Sequence, residues 1–301
     1  MEVDLEVYKE KLAMQSATFS HINHAETIIS EVYKAVTPEG KLYILKICPR
    51  SDDYFRELFF LRKLKGCLPL PEIIHTVDPL KEHFGAILME YLNGQLLQDE
   101  DWSKELAFEL GIALAYLHNN RTEGYGDLTK LNALFEDPES YYNNKFQEEL
   151  DECKDHLPHS LVEKCSGYFA SYRHLLANVD GPCMVHRDFR PGNLLVREGK
   201  LKGIIDWSSA RSGFAEQDFC SLVHFKWTPN PEYMRAFLDG YSSIRPVPNY
   251  KLTMPLLQLG RALAVIGYTF KSKTWDSTNS SLYTYNRTYL DSFNFSAAPT
   301  G

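Results

Sequence analysis

The residues best suited to do chemistry lie in the run Met184-Val-His-Arg-Asp-Phe-Arg-Pro-Gly-Asn-Leu-Leu-Val196 and in Asp206 shortly after it. Leu194–Val196 and Leu201–Ile205 are short apolar runs, and Arg197-Glu-Gly-Lys200 between them has turn chemistry, so the segment reads as a β-hairpin. In an antiparallel hairpin the first residue of one strand lies beside the last of the other. Asn193 and Asp206 flank the strands in that way, which brings a carboxamide and a carboxylate to one open end. Asp188, five residues before Asn193, sits on the turn that approaches the same point. Two hard oxygen ligands and a third carboxylate suit Mg²⁺, which prefers oxygen and keeps part of its shell for water and phosphate. His186 reads as a brace for the turn backbone, and Arg187, Arg190 and Arg197 as ordinary solvated charges.

Other elements must position this turn and add to it. Strands are expected over Ala17–Ile22, Thr27–Val36 and, after the Pro38-Glu-Gly40 turn, Lys41–Ile47, which holds Lys46 between Leu45 and Ile47. Tyr54–Lys65 reads as a helix with Phe55, Leu58, Phe59, Leu61 and Leu64 on its apolar face and Glu57 beside that stripe. Phe84 to Gly94 is an apolar strand ending in a turn, and Trp102–His118 is an amphipathic helix. Residues 137–180 read as a helical insertion whose densest acidic cluster is Glu148, Glu149, Asp151, Glu152 and Asp155. Helices over Glu232–Ser243 and Tyr250–Phe270 follow. The tail from Lys271 carries enough aromatics to pack at least partly.

His186-x-Asp188-x4-Asn193, a hairpin and Ile-Ile-Asp206 together resemble the catalytic and metal-binding segment of the kinase-like fold. The form Ile-Asp-Trp207 resembles the aminoglycoside phosphotransferase and choline kinase branch. The resemblance spans roughly residues 15–270. It implies an α+β, two-lobed protein kinase-like fold with a small antiparallel-sheet lobe over 1–92 and a larger, mainly helical lobe over 93–301. It implies Asp188 as catalytic base, Asn193 and Asp206 as metal ligands, and Lys46, fixed by Glu57, on the α- and β-phosphates. Met89 would be the gatekeeper, with the Glu90 carbonyl and Leu92 N–H on the adenine edge. Ser30 would contribute a phosphate contact from its loop. Phe214-Ala-Glu-Gln-Asp218 resembles the family segment whose aspartate ties down the catalytic turn, and His118 reads as structural. Two departures stand out: residues 1–39 contain no glycine, so the loop over the phosphates lacks one, and His-Arg-Asp replaces the more usual His-Gly-Asp.

Composition bounds the reading. The chain has 301 residues, 44% hydrophobic and 24% charged, the balance of a soluble globular protein. A net charge of −8 argues against non-specific nucleic-acid binding. Six cysteines without CxxC spacing read as reduced core residues. Met1 to Glu10 lacks the apolar centre of a signal peptide, and no apolar run could span a bilayer, so a cytoplasmic protein with no membrane partner is expected. The expected activity is ATP- and Mg²⁺-dependent phosphorylation of a small-molecule hydroxyl, with GTP an open alternative. A monomer or homodimer is expected. The leading acceptor is a cationic, aminoglycoside-type antibiotic, held by Glu148, Glu149, Asp151 and Glu152. A kinase of choline, homoserine or a sugar is the nearest alternative, and a nucleotide-binding pseudokinase is motivated by the glycine-free loop. Only a dozen residues separate Asp206 from Asp218, which disfavours a protein kinase with a long activation segment.

Overall fold

The computed structural model describes residues 3–22, 30–224 and 230–300. Helix α1 (Leu5–Lys11), capped by Asp4, places Tyr8 against the first sheet, where its hydroxyl donates to the Phe84 carbonyl at 3.1 Å. That sheet is antiparallel and holds β1 (Thr18–His21), β2 (Glu31–Val36), β3 (Leu42–Cys48), β4 (Ile73–Val77) and β5 (Gly85–Glu90), in spatial order β1-β2-β3-β5-β4. The alternation read over Lys41–Ile47 is real. β3 pairs on both sides, and Lys46 lies between Val32 of β2 and Ile87 of β5. The expected strand over Thr27–Val36 is described only from Glu31; Thr27 to Ile29 lie outside the described residues.

Helix α2 (Ser51–Lys63) buries Tyr54, Leu58, Phe60 and Leu61 against this sheet. It starts three residues earlier than expected, and Phe55, placed on the apolar face by periodicity, is exposed. The approach to β5 is close enough that a Cβ on Gly85 would fall 2.6 Å from the Tyr54 ring. Neither α1 nor β4 was expected from sequence. Both are short, and isolated short elements carry too little periodicity to stand out.

The rest is mainly helical. β6 (Gln95–Leu96) joins a small sheet with the expected hairpin, β8 (Leu194–Arg197) and β9 (Lys200–Ile204), while β7 (Cys183–Val185) pairs with β10 (Arg211–Gly213). Around them stand α3 (Lys104–His118), α4 (Pro138–Cys153), α5 (His159–Tyr172), α6 (Glu216–His224), α7 (Pro231–Ser242), α8 (Tyr250–Lys271) and α9 (Ser280–Ser292). Ser103 caps α3 by accepting from the Leu106 N–H at 3.0 Å. α3 and α7 cross at Gly111 and Gly240, where an added Cβ would collide with the Phe237 and Phe108 carbonyls respectively. The tail does pack: α9 buries Leu290 and Asn286. Five cysteines are buried as expected, but Cys67, in the turn after α2, is exposed. All six are free thiols. Among the described residues no helix is long and apolar enough to cross a membrane.

Candidate active site

The hairpin does what its sequence requires. The Ile205 N–H donates to the Asn193 carbonyl at 3.0 Å, so Asn193 and Asp206 stand at one end of the β8–β9 ladder. Asp206 adopts φ +61°, in the left-handed region where Asp is among the better tolerated residues. Its Oδ1 accepts from Lys46 Nζ at 2.8 Å and from the Ser208 hydroxyl at 2.7 Å.

Lys46 reaches this point from β3 with its side chain buried, and its Nζ also donates to Glu57 Oε2 of α2 at 2.8 Å. Burial opposes the ammonium charge, but Asp206 and Glu57 outweigh it and hold the Lys46 pKa above its ordinary value. For Asp206 burial again acts against ionisation, and Lys46 wins, keeping this carboxyl well below the usual range. Glu57 goes the other way: burial exceeds the pull of Lys46 and raises it. One cation thus serves two carboxylates, and Asp206 keeps the larger share of its charge.

A second network fixes α2. Arg56, next to Glu57, donates through Nε to the Ser208 carbonyl at 2.8 Å and through Nη1 to Asp127 at 2.9 Å, while Nη2 pairs with Asp53. Lys130 adds a bond to Asp52 at 2.6 Å. Arg56 therefore ties α2 to the turn after Asp206, and Asp127, to which the sequence assigns no role, anchors that arginine.

The turn bearing Asp188 is built on a buried pedestal. Asp218 of α6 is fully buried and accepts from the backbone N–H groups of His186 at 2.9 Å and Arg187 at 2.6 Å. It also pairs with His118 at 3.0 Å, and His118 contacts the Tyr241 hydroxyl at 2.8 Å. Burial works against the Asp218 charge, yet these bonds hold its pKa below the ordinary value. The expected roles of Asp218 and His118 match this geometry. Arg187 has φ +66°, which explains why glycine is the commoner residue there and why a pedestal is needed to hold an arginine in that conformation. His186 braces the turn as expected: its Nδ1 accepts from the Asp188 N–H at 3.3 Å and its other ring nitrogen meets the Ile205 carbonyl at 3.2 Å. Burial lowers its pKa, which suits the neutral form these two bonds require.

Asp188 is heavily partnered. Its Oδ2 accepts from Asn193 Nδ2 at 2.8 Å and from Arg190 Nε at 3.0 Å, and its Oδ1 accepts from Arg261 Nη2 at 3.2 Å. Arg190 is thus not the solvated charge expected, and Arg261 of α8 was not singled out at all. Its signal was present: it is the sole charged residue between Lys251 and Lys271 of a largely apolar helix. Arg197 is exposed beside Glu198.

The oxygens left over fit a hard cation. Asn193 commits its amide nitrogen to Asp188, and Asp206 commits Oδ1 to Lys46 and Ser208. Asn193 Oδ1 and Asp206 Oδ2 accept from no described side chain. Two such oxygens plus phosphate and water make a Mg²⁺ donor set.

The remaining expected residues are dispersed. Ser30 directly precedes β2, and residues 23–29 of the loop before it lie outside the described residues. Met89 is buried on β5 opposite Ile44, Glu90 ends that strand, and the half-buried Leu92 follows it against Gly203 of β9. The acidic cluster is divided by burial. Glu148, Asp151 and Glu152 are exposed and engage Asn144, Lys154 and Lys271 respectively, whereas Glu149 is buried toward α8, with Oε1 on Lys145 at 3.1 Å. Glu148, Asp151 and Glu152 stand at i, i+3 and i+4 and so share one exposed helix face, while Glu149 turns into the protein. The expectation that all four carboxylates face one ligand is corrected for Glu149.

Comparison with known proteins is consistent with this geometry. A model of the phosphotransferase enzyme family matches residues 23–253. A homoserine kinase of Gluconobacter oxydans is 30% identical over 174 residues, 52% of this chain and 51% of that protein. A hygromycin-B 4-O-kinase of Escherichia coli is 22% identical over 212 residues, 63% of this chain and 57% of the other. The chain thus matches little more than half the length of either relative. Among solved structures, a thermostable aminoglycoside phosphotransferase in ternary complex with AMP-PNP and hygromycin B gives a TM-score of 0.69 at 14% identity, covering 95% of this chain and 97% of the other. An aminoglycoside phosphotransferase bound to gentamicin gives 0.67 at 17% identity, covering 98% of both chains. The fold is the two-lobed, kinase-like α+β fold, and the chain belongs to the phosphotransferase enzyme family.

Proposed function

We propose that the protein transfers the γ-phosphoryl group of ATP to a hydroxyl of a small molecule, with residues 1–92 forming the nucleotide lobe and 93–301 the catalytic and acceptor lobe. The observation that supports this best is the convergence on Asp206 of Lys46 and Glu57 from one side and the Asn193 end of the hairpin from the other. Lys46 would meet the α- and β-phosphates, and Ser30, Met89, Glu90 and Leu92 would complete the nucleotide site. Asn193 and Asp206 would hold Mg²⁺, which when bound supplies charge neutralisation at the phosphate oxygens.

Asp188 would orient the acceptor hydroxyl and take its proton. A carboxylate offers roughly four lone-pair sites. Asn193, Arg190 and Arg261 occupy three, which leaves one on Oδ1 for the hydroxyl. A carboxylate is a weak base. That suffices for a loose transition state, in which the proton leaves late and positioning dominates.

A peptide acceptor is disfavoured, because the chain between Asp206 and Asp218 is used up by β10 and the start of α6. An aminoglycoside-type acceptor draws support from the gentamicin- and hygromycin-bound relatives, and of the acidic cluster Glu148, Asp151 and Glu152 remain exposed to one. The test is phosphate transfer from γ-labelled ATP across aminoglycosides, hydroxy acids, sugars and amino alcohols. Transfer to none of them, with no Mg²⁺-dependent nucleotide binding, would refute the reading.

A further inference from the structure

The acceptor side of Asp188 is cationic. Arg261, projecting from α8, sets Nη2 3.2 Å from Asp188 Oδ1 and Nη1 3.1 Å from the Arg187 carbonyl. About a quarter of its side chain stays exposed (26%), so a ligand at Asp188 can reach it. Arg187 is half-buried, and among the described residues its guanidinium has no carboxylate within ion-pair distance. It lies near Arg211, which gives its own donors to the carbonyls of Ser208 and Ala210. Burial first, and then Arg187 and Arg56 close by, push Arg211 down to about 9.

The neighbouring carboxylates are already committed, and Asp188 itself is shared between Arg261 and Arg190. Asp127 is taken by Arg56 at 2.9 Å and Asp53 by Arg50 at 2.6 Å and by Arg56. Glu149 lies near Arg187 and Arg261, but its Oε1 goes to Lys145 and its Oε2 is buried without a hydrogen bond. An acceptor carrying its own carboxylate would give Arg187 an ion pair within reach of Arg261, and guanidinium groups suit carboxylates through charge-assisted, often paired hydrogen bonds.

We propose that Arg261 and Arg187 form a carboxylate-binding subsite beside Asp188, so that the phosphorylated substrate is a small hydroxy acid. The proposal rests on the kinase reading above and narrows it. Arg261 would hold the acid while the hydroxyl takes the open position on Asp188 Oδ1. The two groups then sit a few bonds apart, as in 2-, 3- or 4-hydroxy acids.

The test uses the full chain with MgATP and three acceptors: glycerate, serine and 4-hydroxybutyrate, each against its amide, with gentamicin and hygromycin B alongside. The expected result is kcat/KM at least ~10-fold higher for the best acid than for its amide, the scale of one charged hydrogen bond. Arg261→Gln should slow both acceptors, because it also strips a partner from Asp188, and should in addition shrink the acid-over-amide preference in kcat/KM by ~10-fold. A purely structural brace would slow both acceptors alike and leave the acid-over-amide ratio unchanged, and that outcome overturns the subsite. Arg187→Gln gives the same acid-against-amide comparison should Arg261→Gln fail to fold. Equal or faster transfer to amides or to the two antibiotics overturns the subsite and leaves the kinase reading intact. Nucleotide binding by calorimetry with transfer to no acid also overturns it. Absence of both nucleotide binding and transfer overturns the kinase reading and the subsite with it.

Discussion

The two sides of the cleft are built on different principles. On the nucleotide side each proposed functional group comes from a regular element whose register is dictated locally: Lys46 from β3, Glu57 from α2, Asn193 and Asp206 from the ends of one hairpin. On the acceptor side the groups come from helices far apart in sequence, with Arg261 of α8 meeting Asp188 across 73 positions. The first kind of site is written in short motifs. The second depends on how α4 and α8 are rotated about their axes, which no motif records.

The sharpest way to break this comparison is at Asp206. Asp206→Ala removes one partner of Lys46 and a proposed metal ligand together, so Mg²⁺-dependent nucleotide binding and turnover should both be lost. Unchanged MgATP affinity by calorimetry would remove the nucleotide side from the argument. Asp188→Asn should act on the other side alone, lowering kcat by about 10²–10⁴ for loss of a positioned base. Nucleotide affinity in that variant should move by less than ~3-fold. Were affinity to fall with kcat, the two sides would not be separable.

Arg56 tests the connection between them. Arg56→Met deprives Asp127 of its guanidinium, leaves Asp53 with Arg50 alone and frees α2 from the Ser208 carbonyl. Breaking a buried pair from one side costs ~3–5 kcal/mol. The urea midpoint should drop accordingly, and KM for ATP should rise as Glu57 loses its fixed position. A variant of wild-type stability would show that Asp127 and Asp53 are indifferent to their partner.

The smallest effect is expected where sequence reasoning placed substrate recognition. Replacing Glu148, Asp151 and Glu152 together by glutamine removes only exposed charges, each pair worth ~0–1 kcal/mol. KM for any acceptor should stay within ~2-fold, with a flat salt dependence. A salt-sensitive rise in KM for gentamicin would restore the acidic helix as a substrate site.

The N-terminal region shows the limits of local reading in another way. The alternation of Lys41–Ile47 located β3 within a residue, yet β4 and α1 were missed. β4 has only its pairing with β5 to define it, and α1 is fixed by Tyr8 docking on Phe84. Cys67 was assigned to the core on composition, and only the turn after α2 places it in solvent.

The sequence by itself determined the hairpin, its turn and the order of polar residues along them, because strand period and turn chemistry act over a few positions. It also determined that Asp218 and His118 would be structural, through resemblance to a segment of known role. Only the tertiary structure decided which arginines serve and which are spent. Arg56, Arg190 and Arg261 are chemically alike in the chain, and each acquired its partner from an element that folding brought alongside. The same holds for Glu149, one of four neighbouring carboxylates on α4, which the packing of α4 on α8 buried while its neighbours stayed in water.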